Sequence, residues 1–96
     1  MSLRKKQTKE EDLVKIFKAM ADPNRLAILY RLQSEGELNC STLISNSEVS
    51  APTISHHLKI LYECNLVVRR RDGQVFYNSL NRELFEEIKK ELNVFT

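Results

Sequence analysis

The sequence has no apolar run near the roughly 20 residues needed to cross a bilayer, so it predicts no membrane-spanning segment. The first residues, MSLRKKQTKEEDL, also lack the apolar core of a secretion signal. Only two cysteines occur, Cys40 and Cys64. Without an export signal they are expected to be free thiols in a reducing cytoplasm. These absences predict a soluble cytoplasmic protein without a membrane partner.

Catalytic motifs are absent as well. The sequence contains no glycine-rich phosphate loop, no metal triad and no nucleophile beside a plausible base, so it predicts neither an enzyme nor a bound cofactor or metal. The 96 residues are enough for a single domain, residues 1–96, with a modest core that a partner subunit would help to complete.

Positive charge is concentrated in two segments, although the formal net charge is only +2. Residues 50–82 hold five basic side chains against two acidic ones, whereas residues 83–96 hold four glutamates against two lysines. Near the start, four basic residues occur without an acid: Arg4, Lys5, Lys6 and Lys9. Such a distribution is typical of a chain that binds a polyanion, although surface charges that serve only solvation would look the same.

Apolar spacing and capping residues predict five helices. Asp22 precedes Pro23 as an N-cap of the second helix, and Gly36 ends that helix. Ser41 or Thr42 is expected to cap the third helix, and Ser50 the fourth. The expected ranges are residues 9–20, 23–33, about 42–47, 51–63 and 82–93.

A β-hairpin is expected over residues 67–80. Asp72–Gly73 lies between two β-branched and aromatic runs, and both turn positions of such a hairpin need positive φ. The sequence ELNC before the third helix is expected to be a short extended link. This order predicts a mainly α protein with a small β-hairpin, the winged helix-turn-helix fold. In that fold the second helix of the pair enters the DNA major groove and the hairpin lies along the backbone or minor groove.

The two adjacent histidines of the fourth helix are predicted to point in different directions. Ile54, Leu58 and Leu61 form the buried stripe on a helical wheel, and His57 lies at its edge. We therefore expect His57 to be partly buried and hydrogen-bonded to backbone. Because adjacent side chains on a helix do not meet, the pair is predicted to be neither a metal chelate nor a proton relay.

The opposite face of that helix is polar and carries Ser55, His56 and Lys59. These groups can contact base edges and phosphates, and a plain solvated face is the alternative. In the hairpin, strand alternation sends Arg69 and Arg71 to one side and Arg70 to the other. The arginines would contact phosphates, or else serve only to keep an exposed strand from pairing with another chain.

Three segments carry a resemblance to a known family: FKAMADPNRLAIL, VSAPTISHHLKIL and NLVVRRRDGQVFYNSL. Together with their spacing, they resemble the ArsR/SmtB family of bacterial and archaeal repressors over residues 15–81. The resemblance implies a homodimer that binds an inverted repeat in double-stranded DNA until an inducer, here of unassigned chemistry, weakens the complex. It also implies a dimer interface of the first and last helices, which fits their apolar residues: Leu13, Phe17, Met20, Leu84, Ile88 and Leu92.

The resemblance also implies which residues face the DNA. In this family the positions of Ala51, Pro52, Ser55 and His56 commonly face the bases, and the hairpin tip reaches the minor groove. Many members carry Gln at the position of Ala51. The alanine side chain can touch a thymine methyl but cannot hydrogen-bond to a base. Recognition of the DNA sequence is therefore expected to rest more on other side chains and on DNA shape. The predicted DNA-contacting set is Ala51, Pro52, Thr53, Ser55, His56, Lys59, Arg69, Arg71 and Gln74.

This chain departs from the family's metal-sensing pattern. Many members hold a metal with a Cys-Val-Cys motif before the third helix, and an ungapped alignment places Asn39 and Ser41 at the two thiol positions. The intervening Cys40 is then expected to be a small buried hydrophobe. Zinc-sensing members use His and Asp on the last helix, which here offers only glutamates. A redox pair of Cys40 and Cys64 is a further, less favoured reading.

One function of another class stays open. A winged helix can serve as a protein-interaction adaptor that does not bind DNA. A protein-docking face is expected to be apolar rather than cationic, so the basic surface from Ser55 to Arg71 favours the DNA-binding interpretation.

Overall fold

The computed structural model describes the backbone of residues 3–96 and the side chains of residues 10–96. Within that part, five α-helices and a small antiparallel sheet confirm the predicted winged helix-turn-helix fold. In chain order the elements are α1 (Leu3–Met20), α2 (Pro23–Glu35), β1 (Leu38–Asn39), α3 (Cys40–Ser45), α4 (Ala51–Glu63), β2 (Val67–Asp72), β3 (Val75–Leu80) and α5 (Arg82–Leu92). A 3-10 turn, Asn93–Phe95, follows α5.

Helix α1 begins at Leu3, earlier than the predicted residue 9. The prediction followed apolar spacing, whereas the residues after Leu3 are mostly Arg, Lys and Gln, which favour helix without forming an apolar stripe. The basic side chains of this segment, Arg4, Lys5, Lys6 and Lys9, lie outside the residues whose side chains are described.

Helix α2 begins at its predicted cap. The Asp22 carboxylate accepts hydrogen bonds from the backbone N–H groups of Asn24 (2.9 Å) and Arg25 (3.0 Å). The N–H of Arg25 is the main cause of the lowered pKa of Asp22. The helix runs two residues past the predicted end and stops at Gly36, whose φ of 81° suits glycine.

The N-cap predicted for the third helix was wrong. Asn39, rather than Ser41 or Thr42, caps α3, and its side-chain oxygen accepts from the Thr42 N–H at 2.8 Å. Asn39 is also the last residue of β1, so its extended backbone delivers the side chain to the helix start. The helix ends at Ser45 instead of residue 47.

The predicted two-stranded wing is part of a three-stranded sheet with the order β1-β3-β2. Leu38 pairs with Asn78 and Asn39 with Tyr77. The buried Asn78 side chain donates to the Leu38 carbonyl at 3.2 Å, across 40 positions of sequence. A strand of two residues has no period of its own, so the sequence predicted a short extended strand here but not its pairing with the wing.

The hairpin spans residues 67–80 as predicted, but its turn lies one residue later. Asp72 pairs with Val75, which leaves Gly73 and Gln74 as the loop. Gly73 has φ 63° and Asp72 has no positive φ. This is the pattern of a type II′ turn, with glycine at the first central position, rather than the expected pair of positive φ values.

A short reversal attaches the wing to the end of α4. Asn65 adopts φ 65°. The Leu66 N–H donates to the Leu61 carbonyl at 3.0 Å, and the Asn65 N–H donates to the Tyr62 carbonyl at 3.0 Å. These are the two bonds of a Schellman motif. Leu66 and Val67 are buried immediately after it, so the wing is fixed relative to α4.

The core lies between α1, α2, α4 and the start of the wing. The buried apolar residues are Ile16, Ala19, Ile28, Leu29, Leu32, Leu43, Ile54, Leu58, Leu61, Leu66, Val67 and Ile88.

Helix α5 ends at Leu92, one residue before the predicted end. Among the described helices, none is long and apolar enough to cross a membrane.

Candidate nucleic-acid interface

Helix α4 occupies the predicted residues 51–63. Ser50 precedes it with extended backbone, and the Ser50 carbonyl accepts the first helical hydrogen bond, from the Ile54 N–H at 3.0 Å. The Ser50 hydroxyl makes no capping bond to the backbone and instead lies 2.8 Å from the Thr53 hydroxyl. Pro52 stands in the first turn, where its missing N–H costs no hydrogen bond.

The two faces of α4 divide as the helical wheel predicts. Ile54, Leu58 and Leu61 are buried, and Thr53 is half-buried. The outward residues are all exposed: Ala51, Pro52, Ser55, His56 and Lys59.

The two histidines diverge as predicted, but the partner of His57 is a side chain rather than backbone. His57 is 7% exposed, and its Nδ1 lies 3.3 Å from Nη1 of Arg25. Arginine can only donate, so Nδ1 is the acceptor in this contact. Arg25 also donates through Nε to the Ala19 carbonyl at 2.6 Å. Arg25 therefore ties the end of α1 to the buried side of α4.

Arg69 and Arg71 lie on one side of the wing, as alternation predicts. The Arg69 guanidinium stands 4.1 Å from the centre of the Tyr62 ring and 5.2 Å from that of Phe76. Arg71 lies 5.7 Å from the Phe76 ring and donates to the Gly73 carbonyl at 2.8 Å. Gln74 is exposed in the adjoining turn.

Arg70 takes the other side of the wing. It binds both oxygens of Glu37, at 2.7 Å and 3.1 Å, and its guanidinium lies 4.9 Å from the Tyr77 ring. The hydrogen bond with Arg70 lowers the pKa of Glu37 and raises that of Arg70. Of the three consecutive arginines, Arg70 is therefore engaged within the protein.

The polar side of α4 and the wing arginines meet at one surface. Ser55, Lys59 and Tyr62 of α4 line a cleft of about 260 Å³ together with Arg69 and Phe76 of the wing. DNA binding as predicted from the sequence requires that the polar side of α4 and the wing face the same way. The cleft shows residues of both elements exposed on one side.

The aromatic residues of this surface were not among the predicted site residues. Arg69 lies over both the Tyr62 and the Phe76 ring, and Glu37 binds Arg70 on the opposite side of the wing. Tyr62 lies three positions after Lys59, which places it near that residue on the helix. Phe76 faces Arg71 across the hairpin, a pairing that the register decides.

The two cysteines are free and neither is fully buried. Cys40 lies at the rim of the cleft, with Sγ 3.9 Å from the Ser55 hydroxyl, so it is more exposed than the expected buried hydrophobe. The Cys64 thiol donates to the Leu61 carbonyl at 3.4 Å, and burial raises its pKa.

The side chains present here do not fit the Cys-Val-Cys metal site that the family resemblance implies for many members. At the positions Asn39, Cys40 and Ser41 only one thiol is present, and the Asn39 oxygen is engaged as the cap of α3. Among the described residues, no three His, Cys, Asp or Glu side chains come together as a metal site.

A second exposed surface is apolar and lies on α1 and α5. Phe17 is 40% and Leu92 44% exposed, and with Met20 and Phe85 they line a groove of about 340 Å³. Leu13 and Leu84 are half-buried. Ile88, predicted as an interface residue, also lines this groove, although it is only 5% exposed and packs in the core of the single chain.

Comparison with known families and proteins finds relatives of this chain among transcriptional regulators. Residues 22–68 match the family model described as bacterial regulatory protein, arsR family. The arsenical resistance operon repressor of Staphylococcus aureus is 38% identical over 84 residues, covering 88% of this chain and 80% of that protein. The transcriptional repressor SdpR of Bacillus subtilis is 36% identical over 72 residues, covering 75% of this chain and 79% of SdpR.

The fold is also shared with solved structures. One is the solution structure of a homodimeric winged helix-turn-helix DNA-binding domain from Mycobacterium bovis. It superposes with a TM-score of 0.77 at 26% identity, covering 99% of this chain and 86% of that one.

Proposed function

The chain belongs to the arsR family of bacterial regulatory proteins, and from this membership we propose that it is a cytoplasmic transcriptional repressor that binds an inverted-repeat operator in double-stranded DNA as a homodimer. Relatives named as repressors and a homodimeric DNA-binding domain of the same fold support the proposal. In this proposal α4 enters the major groove, and the wing follows the backbone into the minor groove.

The shared cleft is the observation that carries the proposal. Ser55 and Lys59 come from α4 and Arg69 from the wing, yet all three line one concave surface. A duplex placed against that surface would meet the helix and the wing at once, which DNA recognition by this fold requires.

The proposed roles follow from what each side chain can offer. Ser55 and His56, with Ala51, Pro52 and Thr53 at the start of α4, would face base edges. Lys59, Arg69 and Arg71 would neutralise phosphates, and Gln74 would approach the backbone at the wing tip.

The test is fluorescence anisotropy with a random duplex across a salt series. We expect binding at low salt whose affinity falls steeply as salt rises. Arg71→Ala should reduce the slope of log affinity against log salt by about 0.9 per bound subunit, which is one phosphate. Arg70→Ala is the matched control and should leave the slope unchanged, because Glu37 already occupies Arg70. No detectable binding at low salt would overturn the proposal.

The proposed dimer uses the apolar surface of α1 and α5. Phe17, Met20 and Leu92 would supply its centre, with Leu13 and Leu84 beside them, while Ile88 supports the surface from within. A second copy would cover apolar area that the single chain leaves in water, which stabilises the association. Sedimentation equilibrium should therefore show a dimer at micromolar concentration, and a strictly monomeric protein would contradict this part.

The inducer has no assigned chemistry, and we propose only that it is not a thiolate-bound metal ion. The single thiol of Cys40 and the engaged oxygen of Asn39 make a poor soft-metal site. Titration of the DNA complex with arsenite, cadmium or zinc should therefore leave its anisotropy unchanged at equivalence. Release of the DNA by one equivalent of any of these would show that a metal site exists.

A further inference from the structure

The cleft between α4 and the wing has the electrostatics of an anion site. Lys59 and Arg69 line it from opposite elements, and the Ser55 hydroxyl lies at its edge. Among the described residues that line the cleft, none carries a carboxylate. Within the described part of the chain, neither cation has an ion-pair partner. Two unneutralised cations around one concavity attract an anion, because the low-dielectric walls focus their field.

Arg69 is held in place before any ligand arrives. Its guanidinium lies over the Tyr62 ring, 4.1 Å from its centre, and over the Phe76 ring, 5.2 Å from its centre. Contact with the faces of two rings restricts the side chain without using its N–H donors. The planar donor fork therefore remains available for the oxygens of a phosphate. Arg70, by contrast, already donates from Nε and Nη2 of its guanidinium to the two carboxylate oxygens of Glu37.

We propose that this cleft is a phosphate-binding site shared by the recognition helix and the wing, with Lys59 and Arg69 acting together on one phosphate group. The inference rests on the proposed function, because the phosphate is either a phosphodiester of the DNA backbone or a free phosphate that competes with DNA. It goes further, because it assigns both cations to a single phosphate and makes Tyr62 a positioning residue.

The first experiment is a double-mutant cycle on the full chain: Lys59→Gln, Arg69→Gln and both together, with anisotropy measured on a random duplex across a salt series. Each neutralised phosphate contributes about 0.9 to the salt slope. One shared phosphate predicts that the double variant loses about 0.9 per bound subunit, whereas two separate phosphates predict about 1.8. The second substitution should also cost at least about threefold less affinity when the first is already present.

Additive losses and the larger slope change would overturn the shared site. Arg70→Gln is the control that should change neither slope nor affinity. Circular dichroism melts establish that each variant is folded, and both substituted side chains are exposed, so the core is untouched.

The second experiment distinguishes a backbone phosphodiester from a free phosphate. It also distinguishes failure of the phosphate site from failure of the proposed function. Pyrophosphate is titrated into the wild-type protein while the Arg69 Nε–H signal is followed by NMR, with Lys59→Gln in parallel. A shift that Lys59→Gln abolishes supports the site for free phosphate, even if the wild type fails to bind DNA and the proposed function falls. Coupling on DNA without any pyrophosphate shift assigns the site to the backbone phosphodiester. Absence of both coupling and shift overturns the inference.

Tyr62 supplies a further readout. Tyr62→Leu removes one ring from Arg69 and should weaken DNA binding about two- to fivefold, which matches a cation–π contact at an exposed site. The salt slope should stay at the wild-type value, because the charge remains. Tyr62→Phe keeps the ring and should restore the affinity. An unchanged affinity in Tyr62→Leu would contradict the positioning role.

Discussion

The surface of α4 and the wing and the surface of α1 and α5 are both exposed, but they differ in chemistry. The first carries Lys59 and Arg69 around a cleft, whereas the second presents Phe17 and Leu92 around an apolar groove. Cations held apart from carboxylates suit a polyanion, while exposed apolar side chains gain by leaving water. One short chain therefore offers two chemically distinct surfaces for the two partners proposed above, DNA and a second copy of itself.

The charge balance sharpens this difference. Residues 83–96 hold four glutamates against two lysines, so the apolar groove lies beside an acidic segment. An acidic segment repels the DNA backbone. Electrostatics would therefore direct a duplex toward the wing and away from the proposed dimer surface.

The largest expected effect comes from breaking the apolar surface. Leu92→Glu places a charge in the groove of α1 and α5 and should convert the dimer to monomers by sedimentation equilibrium. DNA affinity should then fall on the order of 100-fold, because two linked half-site contacts become independent ones. Lys90→Glu adds a glutamate to the same helix turn outside the groove and should leave the dimer intact. A dimer that survives Leu92→Glu would place the interface elsewhere.

The next effect concerns the inward and outward histidines of α4. His57→Leu removes the acceptor for Arg25 and should lower the free energy of unfolding by about 1–3 kcal/mol in urea denaturation, because a charged donor loses its partner. His57→Asn offers an amide oxygen near the Nδ1 position and should recover part of that loss. His56→Leu, on the exposed face, should change stability by less than about 0.5 kcal/mol. Equal losses for the two histidines would refute the division of α4 into faces.

A smaller effect is expected in DNA recognition by the outward histidine. His56→Ala should relax base discrimination at one position of each half-site, by about 1 kcal/mol or somewhat more, in competition binding with single-base operator variants. Arg71→Ala is the comparison, since loss of a phosphate contact weakens all sequences alike. A uniform loss in His56→Ala would instead assign that residue to the backbone.

The smallest effect concerns the arginine that faces away from the DNA surface. Arg70 holds the pKa of Glu37 below its ordinary value of 4.5, so the ionised pair stabilises the fold above that pH and this stabilisation is lost as the pH falls. Arg70→Gln should therefore flatten the acid-side decline of the melting temperature. Arg71→Gln, which has no acidic partner among the described residues, should keep the wild-type decline. Identical acid profiles for the two variants would show that the Arg70–Glu37 pair has no stabilising effect.

The two surfaces were not equally predictable. The faces of α4 and the alternation of the wing arginines follow from periods of 3.6 and 2, which are local properties of the chain. The apolar surface was assigned by resemblance, and a wheel of α5 does not show that Ile88, which lines the groove, is also packed in the core of the single chain. The first six residues of α1 were missed because they form no apolar stripe.

The sequence by itself determined the helix bounds near Asp22 and Gly36, the range of α4, the hairpin, and the direction of each wing arginine. These features depend on contacts within a few residues, so composition and spacing suffice. Only the tertiary structure decided that β1 joins the sheet, that Arg25 meets His57, and that Arg69 lies over the Tyr62 and Phe76 rings. Those partners lie far apart in the chain or on different elements, and packing alone sets the distance between them.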